Sequence, residues 1–173
     1  MKLFLKTKDF SVSGEHFELH WDEELDMLIT RPQPEELAKY YDSEDYISHT
    51  DSKSSFTDKL YQLIKAKNLN NKIQIVENQL VNTKKLLDLG AGTGDFLITA
   101  QKYGFQVVGV EPNEKARRLA EAKGLKLLPD LDKLSSERFQ AITLWHVLEH
   151  LQNLQGQISS LVQLLDDDGL LVI

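Results

Sequence analysis

Apolar runs of strand length recur at regular intervals through the second half of the chain, whereas the first third alternates apolar and polar residues without settling into one period. Phe10 and Val12, then Phe17, Leu19 and Trp21, alternate with polar residues about Ser13-Gly14, the period-two pattern of a hairpin. Pro32 and Pro34 close that piece. Beyond them the spacing predicts helices over 35–41, over 54–67, where Phe56, Leu60, Leu63 and Ile64 share a face, and over 72–80.

After Val81 the apolar runs alternate with amphipathic segments, the rhythm of βαβ units around a parallel sheet. Strands are predicted at 85–89, 106–110, 126–128, 139–144 and 170–173, with helices at 95–103, 114–123 and 148–165 between them. Gly104 and Gly124 follow the first two of these helices, where a left-handed cap residue is wanted. In the third, Leu148, Leu151, Leu154, Ile158, Leu161, Val162 and Leu165 form one apolar stripe. The expected fold class is α/β: a Rossmann-like parallel sheet with helices on both faces. It occupies 81–173 and stops after the fifth strand, and a small N-terminal cap of hairpin and helices fills 1–80.

Composition narrows the class. A chain of 173 residues has room for one ordinary domain and a modest attachment, and 41% hydrophobic with 27% charged residues is the usage of a globular protein with a real core. With 20 basic against 27 acidic residues the formal net charge is −7, which attracts phosphate backbones poorly and excludes a large nucleic-acid surface. The apolar run in Met1-Lys2-Leu3-Phe4-Leu5-Lys6 is too short for a signal peptide, and no segment approaches the roughly 20 apolar residues of a membrane span. The absence of cysteine excludes disulfides, zinc ribbons and thiol nucleophiles and agrees with a cytoplasmic location.

The most informative stretch is Leu86-Leu87-Asp88-Leu89-Gly90-Ala91-Gly92-Thr93-Gly94-Asp95, an apolar strand running into three glycines and then a helix. Such a turn brings backbone close to a ligand at a strand's carboxyl end. A dinucleotide fingerprint has the spacing GxGxxG, with a pyrophosphate over the helix N-terminus. Here the place of its last glycine is taken by Asp95, whose carboxylate disfavours a diphosphate. The GxxxxGK[ST] loop of nucleotide triphosphatases is absent too. Twenty-one residues after Gly90, Val107-Val108-Gly109-Val110 ends in Glu111, placed to accept from both hydroxyls of a ribose. Asp88 can face a cationic amino group and the amides at the helix start can take a carboxylate. A ribose, an ammonium and a carboxylate together describe S-adenosylmethionine.

At this point the sequence resembles the class I S-adenosylmethionine-dependent methyltransferases. Leu87-Asp88-Leu89-Gly90-Ala91-Gly92-Thr93-Gly94 is similar to the family's first motif, Val108-Gly109-Val110-Glu111-Pro112 to its second, and Phe139 through His150 to its fourth-strand motif. The match covers about 84–173, and Tyr40 through His49 also resembles the helical lid of small-molecule branches. The resemblance implies that Gly90, Ala91, Gly92 and Gly94 line the methionine part, with Asp88 near its amino group. It implies further that Glu111 holds the ribose and that Pro112 and Asn113 flank the adenosine. Asp130, with Asp132 competing, contacts the adenine, and Trp145, His146 and Val147 lie near the sulfonium and the acceptor. It implies a small-molecule methyl acceptor through oxygen or nitrogen and no metal. It also implies two more strands after Leu170-Leu171-Val172-Ile173, so a fragment is expected, or cover of the open edge by a second copy or a missing C-terminal segment.

His146-Val147-Leu148-Glu149-His150 also spells HxxEH, but that zinc-protease pattern needs one continuous helix and a glutamate further on, and none follows Glu149. His146 is the candidate proton acceptor; Glu149 and His150 read as a polar pair in a first helical turn, His16 and His20 as surface residues, and His49 as part of an aromatic cluster with Tyr40, Tyr41 and Tyr46. Asp166 to Asp168 reads as a solvated turn. A cofactor-binding module without activity and a dinucleotide oxidoreductase are the competing functions.

Overall fold

The computed structural model describes residues 1–34, 40, 56–80 and 84–173. Compactness divides the chain into two units, Met1–Asp51 and Ser52–Ile173. The change of rhythm near residue 80 thus marks a switch in secondary structure, while the helix before it belongs with the sheet that follows.

The first unit holds a three-stranded antiparallel sheet in the order β1-β2-β3: β1 (Lys2–Lys8), β2 (His16–Asp22) and β3 (Met27–Arg31). The hairpin lies further toward the N-terminus than the alternation suggests. Phe10 and Val12 sit in the connection and are 81% and 52% exposed. The cause is Asp9. Its carboxylate accepts from the amides of Ser11 at 2.9 Å and Ser13 at 2.7 Å, which holds the carboxyl well below its ordinary range and folds 9–15 into a side-chain-capped loop. In β2, His20 contacts Glu18 at 2.9 Å and is only partly exposed, so it is less of a surface residue than expected.

The second unit opens with one continuous helix, α1 (Phe56–Glu77), where the pattern suggested two. Asn68 to Asn71 contains no breaker, and Leu69, Ile73 and Val76 carry a buried face straight through it. The expected stripe of Leu60, Leu63 and Ile64 is instead 53%, 69% and 53% exposed. There follow β4 (Lys85–Leu89), α2 (Asp95–Lys102), β5 (Gln106–Val110), α3 (Glu114–Ala122), β6 (Phe139–Thr143), α4 (Leu154–Leu164) and β7 (Leu165–Val172). The four parallel strands are ordered β5-β4-β6-β7. The short strand expected at 126–128 is reduced to a single parallel bridge between Val110 and Leu128.

β4 and β6 are buried on both faces along nearly their whole length, which is why they read as largely apolar runs. In β4, Leu86 joins Ile73, Val76, Phe96, Leu97 and Ala100 on the face covered by α1 and α2. Leu87 and Leu89 point the other way, to Phe139, Ile142, Leu161 and Leu164 under α4. Full burial of Phe139, Leu86, Leu87 and Ile142 contributes about 1.5–3 kcal/mol per side chain. With Asn153 as its N-cap, α4 starts six residues later than expected, and Leu148–His150 forms a separate 3₁₀ turn. Val162 leaves the stripe at 54% exposed, and Leu164 takes its place. In β7, Leu165 pairs with Phe139 and Leu170 with Ala141, so 166–169 bulge out and carry Asp167 and Asp168 into solvent.

Candidate functional site

The chain leaves β4 toward β5 and later returns to the other side of β4 as β6, so the strand order reverses at the carboxyl end of β4. That reversal splays the connections apart, and in open α/β sheets ligands bind in the resulting crevice. The glycine turn lies there. The amides of Gly90 and Ala91 both donate to the carbonyl of Val110, at 2.8 and 3.0 Å, and Gly94 donates back to Ala91 at 2.9 Å. The turn is thereby stitched to the end of the neighbouring strand.

Glu111 links the two loops more directly. Its carboxylate is 8% exposed and accepts from the amide of Gly92 at 2.8 Å through Oε2 and from that of Asn113 at 2.8 Å through Oε1. Each oxygen keeps a lone pair for another donor. Asn113 caps α3 by accepting from Ala116 at 3.1 Å. Arg117, one turn along, donates to the carbonyls of Glu111 and Pro112 at 2.8 and 2.6 Å. Nothing in the sequence pattern singles out Arg117, because what it holds is main chain.

The glycines divide by task. Gly90 has φ 70°, and a Cβ there would run into the side chain of Val147. Gly92 has φ 54°, and a Cβ there would meet nothing within 4 Å. Gly90 is therefore demanded by packing, whereas Gly92 keeps an open approach to the turn.

Asp88, on β4, faces the α1 side and is 3% exposed. Thr143 on β6 donates to it at 2.6 Å. Burial pushes its carboxyl up to about 7, against the opposing pull of the Thr143 hydrogen bond and the Lys72 charge, with Glu111 adding a smaller push upward. A buried acid whose folded pKa lies above its unfolded 3.8 destabilises the fold as it ionises. The contribution of Asp88 to stability should therefore be most favourable at and below about pH 4 and fall as pH rises to 7, by on the order of 4 kcal/mol. Asp88→Asn keeps an acceptor for Thr143. It is expected to raise the melting temperature at pH 8 and flatten its dependence between pH 4 and 8; an unchanged pH profile would clear Asp88 of this role.

The Asp95 carboxylate accepts from Thr93 Oγ1 of the glycine turn at 3.3 Å. Lys65 of α1 and Lys123 beyond α3 clamp its carboxylate at 2.6 and 2.8 Å, and Lys123 also donates to Thr93 Oγ1 at 3.1 Å. Burial alone would raise the Asp95 pKa, but the two lysines outweigh it and hold the carboxyl below its ordinary range. The charge that disfavours a diphosphate is thus neutralised by the protein, and the argument against a dinucleotide rests on the missing glycine.

At the end of β6, Trp145 packs edge-on against Phe96 with centroids 5.6 Å apart. Its indole N–H is buried without a partner among the described residues. His146 follows with φ 58°, an uncommon conformation for a residue with a side chain. Its ring is 86% exposed, 3.9 Å from Glu149, and His150 stands 4.0 Å from the same carboxylate oxygen. Among the described residues no group of three metal-binding side chains is arranged to hold an ion. Asp130 is exposed and accepts from the amide of Asp132 at 3.1 Å, so its carboxylate shapes its own loop. Of the expected lid, Tyr40 donates to Glu15 and stacks edge-on with Phe17; Tyr41 through His49 lie outside the described residues.

A doubly wound sheet with a glycine turn and an acid on the next strand is the frame of a nucleoside-binding α/β protein. The chain belongs to the methyltransferase-domain family, whose model matches residues 58–173. It is 31% identical over 98 residues, 50% of this chain and 43% of the relative, to an uncharacterized methyltransferase of Alkaliphilus oremlandii (strain OhILAs). It is 32% identical over 102 residues, 51% of this chain and 44% of the relative, to the ubiquinone biosynthesis O-methyltransferase of Actinobacillus pleuropneumoniae serotype 5b (strain L20). The chain spans less than half the length of these curated relatives. Its fold is shared with magnesium protoporphyrin IX methyltransferase from Synechocystis PCC 6803 with bound SAM, at TM-score 0.56 and 19% identity over 73% of this chain and 69% of that one. It is shared as well with the sugar N-methyltransferase KedS8 from Streptoalloteichus sp ATCC 53650, at TM-score 0.55 and 19% identity over 70% and 54%.

Proposed function

We propose that this chain is the cofactor-binding core of a cytoplasmic enzyme that transfers a methyl group from S-adenosylmethionine to a small-molecule oxygen or nitrogen acceptor. The observation that carries the reading is the Glu111 carboxylate, buried at the carboxyl end of β5 and bonded to the amide of Gly92. The residues fit the cofactor: Glu111 retains acceptor capacity for two ribose hydroxyls, Gly92 leaves the approach open, and Asp88 offers a buried acid to an amino group. The cofactor supplies a methyl group already activated on a sulfonium.

The protein's share is alignment, which can contribute on the order of 7–11 kcal/mol, against about 3–5 kcal/mol for one general base. Glu111 and Asp88 fix the two ends of the cofactor. Trp145 walls the crevice at the end of β6. His146, with Nδ1 toward Glu149, presents Nε2 to take the proton that a hydroxyl or amine acceptor loses. Pro112, Asn113 and Asp130 border the adenine side. Among the described residues no helix is long and apolar enough to cross a membrane.

Calorimetric titration tests the reading. S-adenosylhomocysteine is expected to bind, NAD to give no heat, and label from S-adenosyl-[methyl-³H]methionine to pass into small molecules. Tight NAD binding with indifference to S-adenosylhomocysteine would make the chain a dinucleotide protein; nucleoside binding without transfer would make it a binding module.

A further inference from the structure

The glycine turn meets α3 at both ends of that helix. At its start, Glu111 accepts from the Gly92 amide and Asn113 is the N-cap. At its finish Lys123 is the C-cap, and a Cβ on Gly94 would come within 2.6 Å of the Leu125 side chain and 3.4 Å of that of Ala120. Beside this apolar seat the Lys123 ammonium reaches the two residues that flank Gly94. It donates to the Thr93 carbonyl at 3.4 Å, to Thr93 Oγ1 at 3.1 Å and to the Asp95 carboxylate at 2.8 Å. The side chains of the Lys123–Asp95 pair are 26% and 25% exposed, so solvent screens it less than a surface pair. α2 itself begins at Gly94 with no side-chain cap, so no capping side chain holds its first amides. The passage from turn to helix takes its shape from its neighbours.

We propose that Lys123 is a positioning residue of the cofactor site: it pins the second half of the glycine turn to α3, while Glu111 pins the first half. The helix then acts as one strut gripping the turn at two points, and it keeps the turn in register with the acid that meets the ribose. Lys123 acts on the ligand only through Thr93 and Asp95. Without it Asp95 still has Lys65 of α1 on its other oxygen, so the fold survives, but the Thr93 contacts are lost. A ligand must then order the turn as it binds, which lowers its affinity. This assignment rests on the proposed function and adds to it the residue that prepares the turn before the ligand arrives.

Affinity for S-adenosylhomocysteine, read by calorimetry well below each variant's melting temperature, separates positioning from mere support of the fold. Lys123→Met removes the charge and keeps an unbranched stem; Lys123→Arg restores the charge. Thr93→Val deletes one acceptor without removing a charge. Lys84→Met is the control, because Lys84 lies before β4, at the strand end away from the glycine turn, where it pairs with Glu77 and donates to the Tyr103 carbonyl. Lys123→Met should bind on the order of 10-fold more weakly and Thr93→Val about threefold more weakly. Lys123→Arg should recover most of the loss, and Lys84→Met should bind within about twofold of the unaltered chain. Unchanged affinity in Lys123→Met and Thr93→Val, whatever their melting temperatures, overturns the proposal. So does equal weakening in Lys84→Met, which would make Lys123 one more support of the fold. If S-adenosylhomocysteine does not bind the unaltered chain, the proposed function itself fails.

Discussion

Glu111→Ala is expected to weaken S-adenosylhomocysteine binding by about 3 kcal/mol, roughly 150-fold. Two losses combine. The ribose hydroxyls lose their acceptor, and the amides of Gly92 and Asn113, which each donate to this carboxylate at 2.8 Å, lose theirs. The second loss loosens both loops before any ligand arrives. Glu111→Gln should fall between the two proteins, because its NH₂ must face one of those N–H donors and only one amide keeps its bond. Calorimetry below the melting point of each variant reads the effect. Equal affinity in the alanine variant and the unaltered chain would remove Glu111 from the site.

The second large effect concerns stability. Gly90→Ala must hold φ 70° with a side chain and push Val147 aside, costing about 1–2 kcal/mol for the left-handed backbone and about 1–3 for the overpacking. A drop of roughly 10 °C in melting temperature is expected. Gly92→Ala incurs only the backbone cost, so its drop should be about a third as large, but its methyl group enters the open side of the turn and should weaken nucleoside binding. Equal drops in melting temperature for the two variants would mean that the glycines are not divided between packing and access.

Much of this was legible in the chain because it is local. A strand buried on both faces must be an apolar run, so β4 and β6 stand out. The glycine turn and Glu111 are marked by spacing, and the structure bonds them to each other. The errors came from interactions that override local pattern. Asp9 captures the amides of Ser11 and Ser13 and turns an alternating stretch into a loop, moving the hairpin toward the N-terminus. The exposed Leu60, Leu63 and Ile64 mimic a core face, while the buried face of α1 lies a few turns further on. Lys65, Lys72, Lys123 and Arg117 were invisible for a different reason. Charged residues on helices usually face solvent, and only the folded chain brings these to Asp95, to Trp145 and to the carbonyls of Glu111 and Pro112.

The chain has two tryptophans. Trp21 belongs to the first unit; Trp145 sits in the second between Phe96 and the Lys72 ammonium. Indole emission depends on nearby charge and polarity, so replacing Trp21 with phenylalanine leaves a molecule that reports optically on the occupancy of its own crevice, with no label attached.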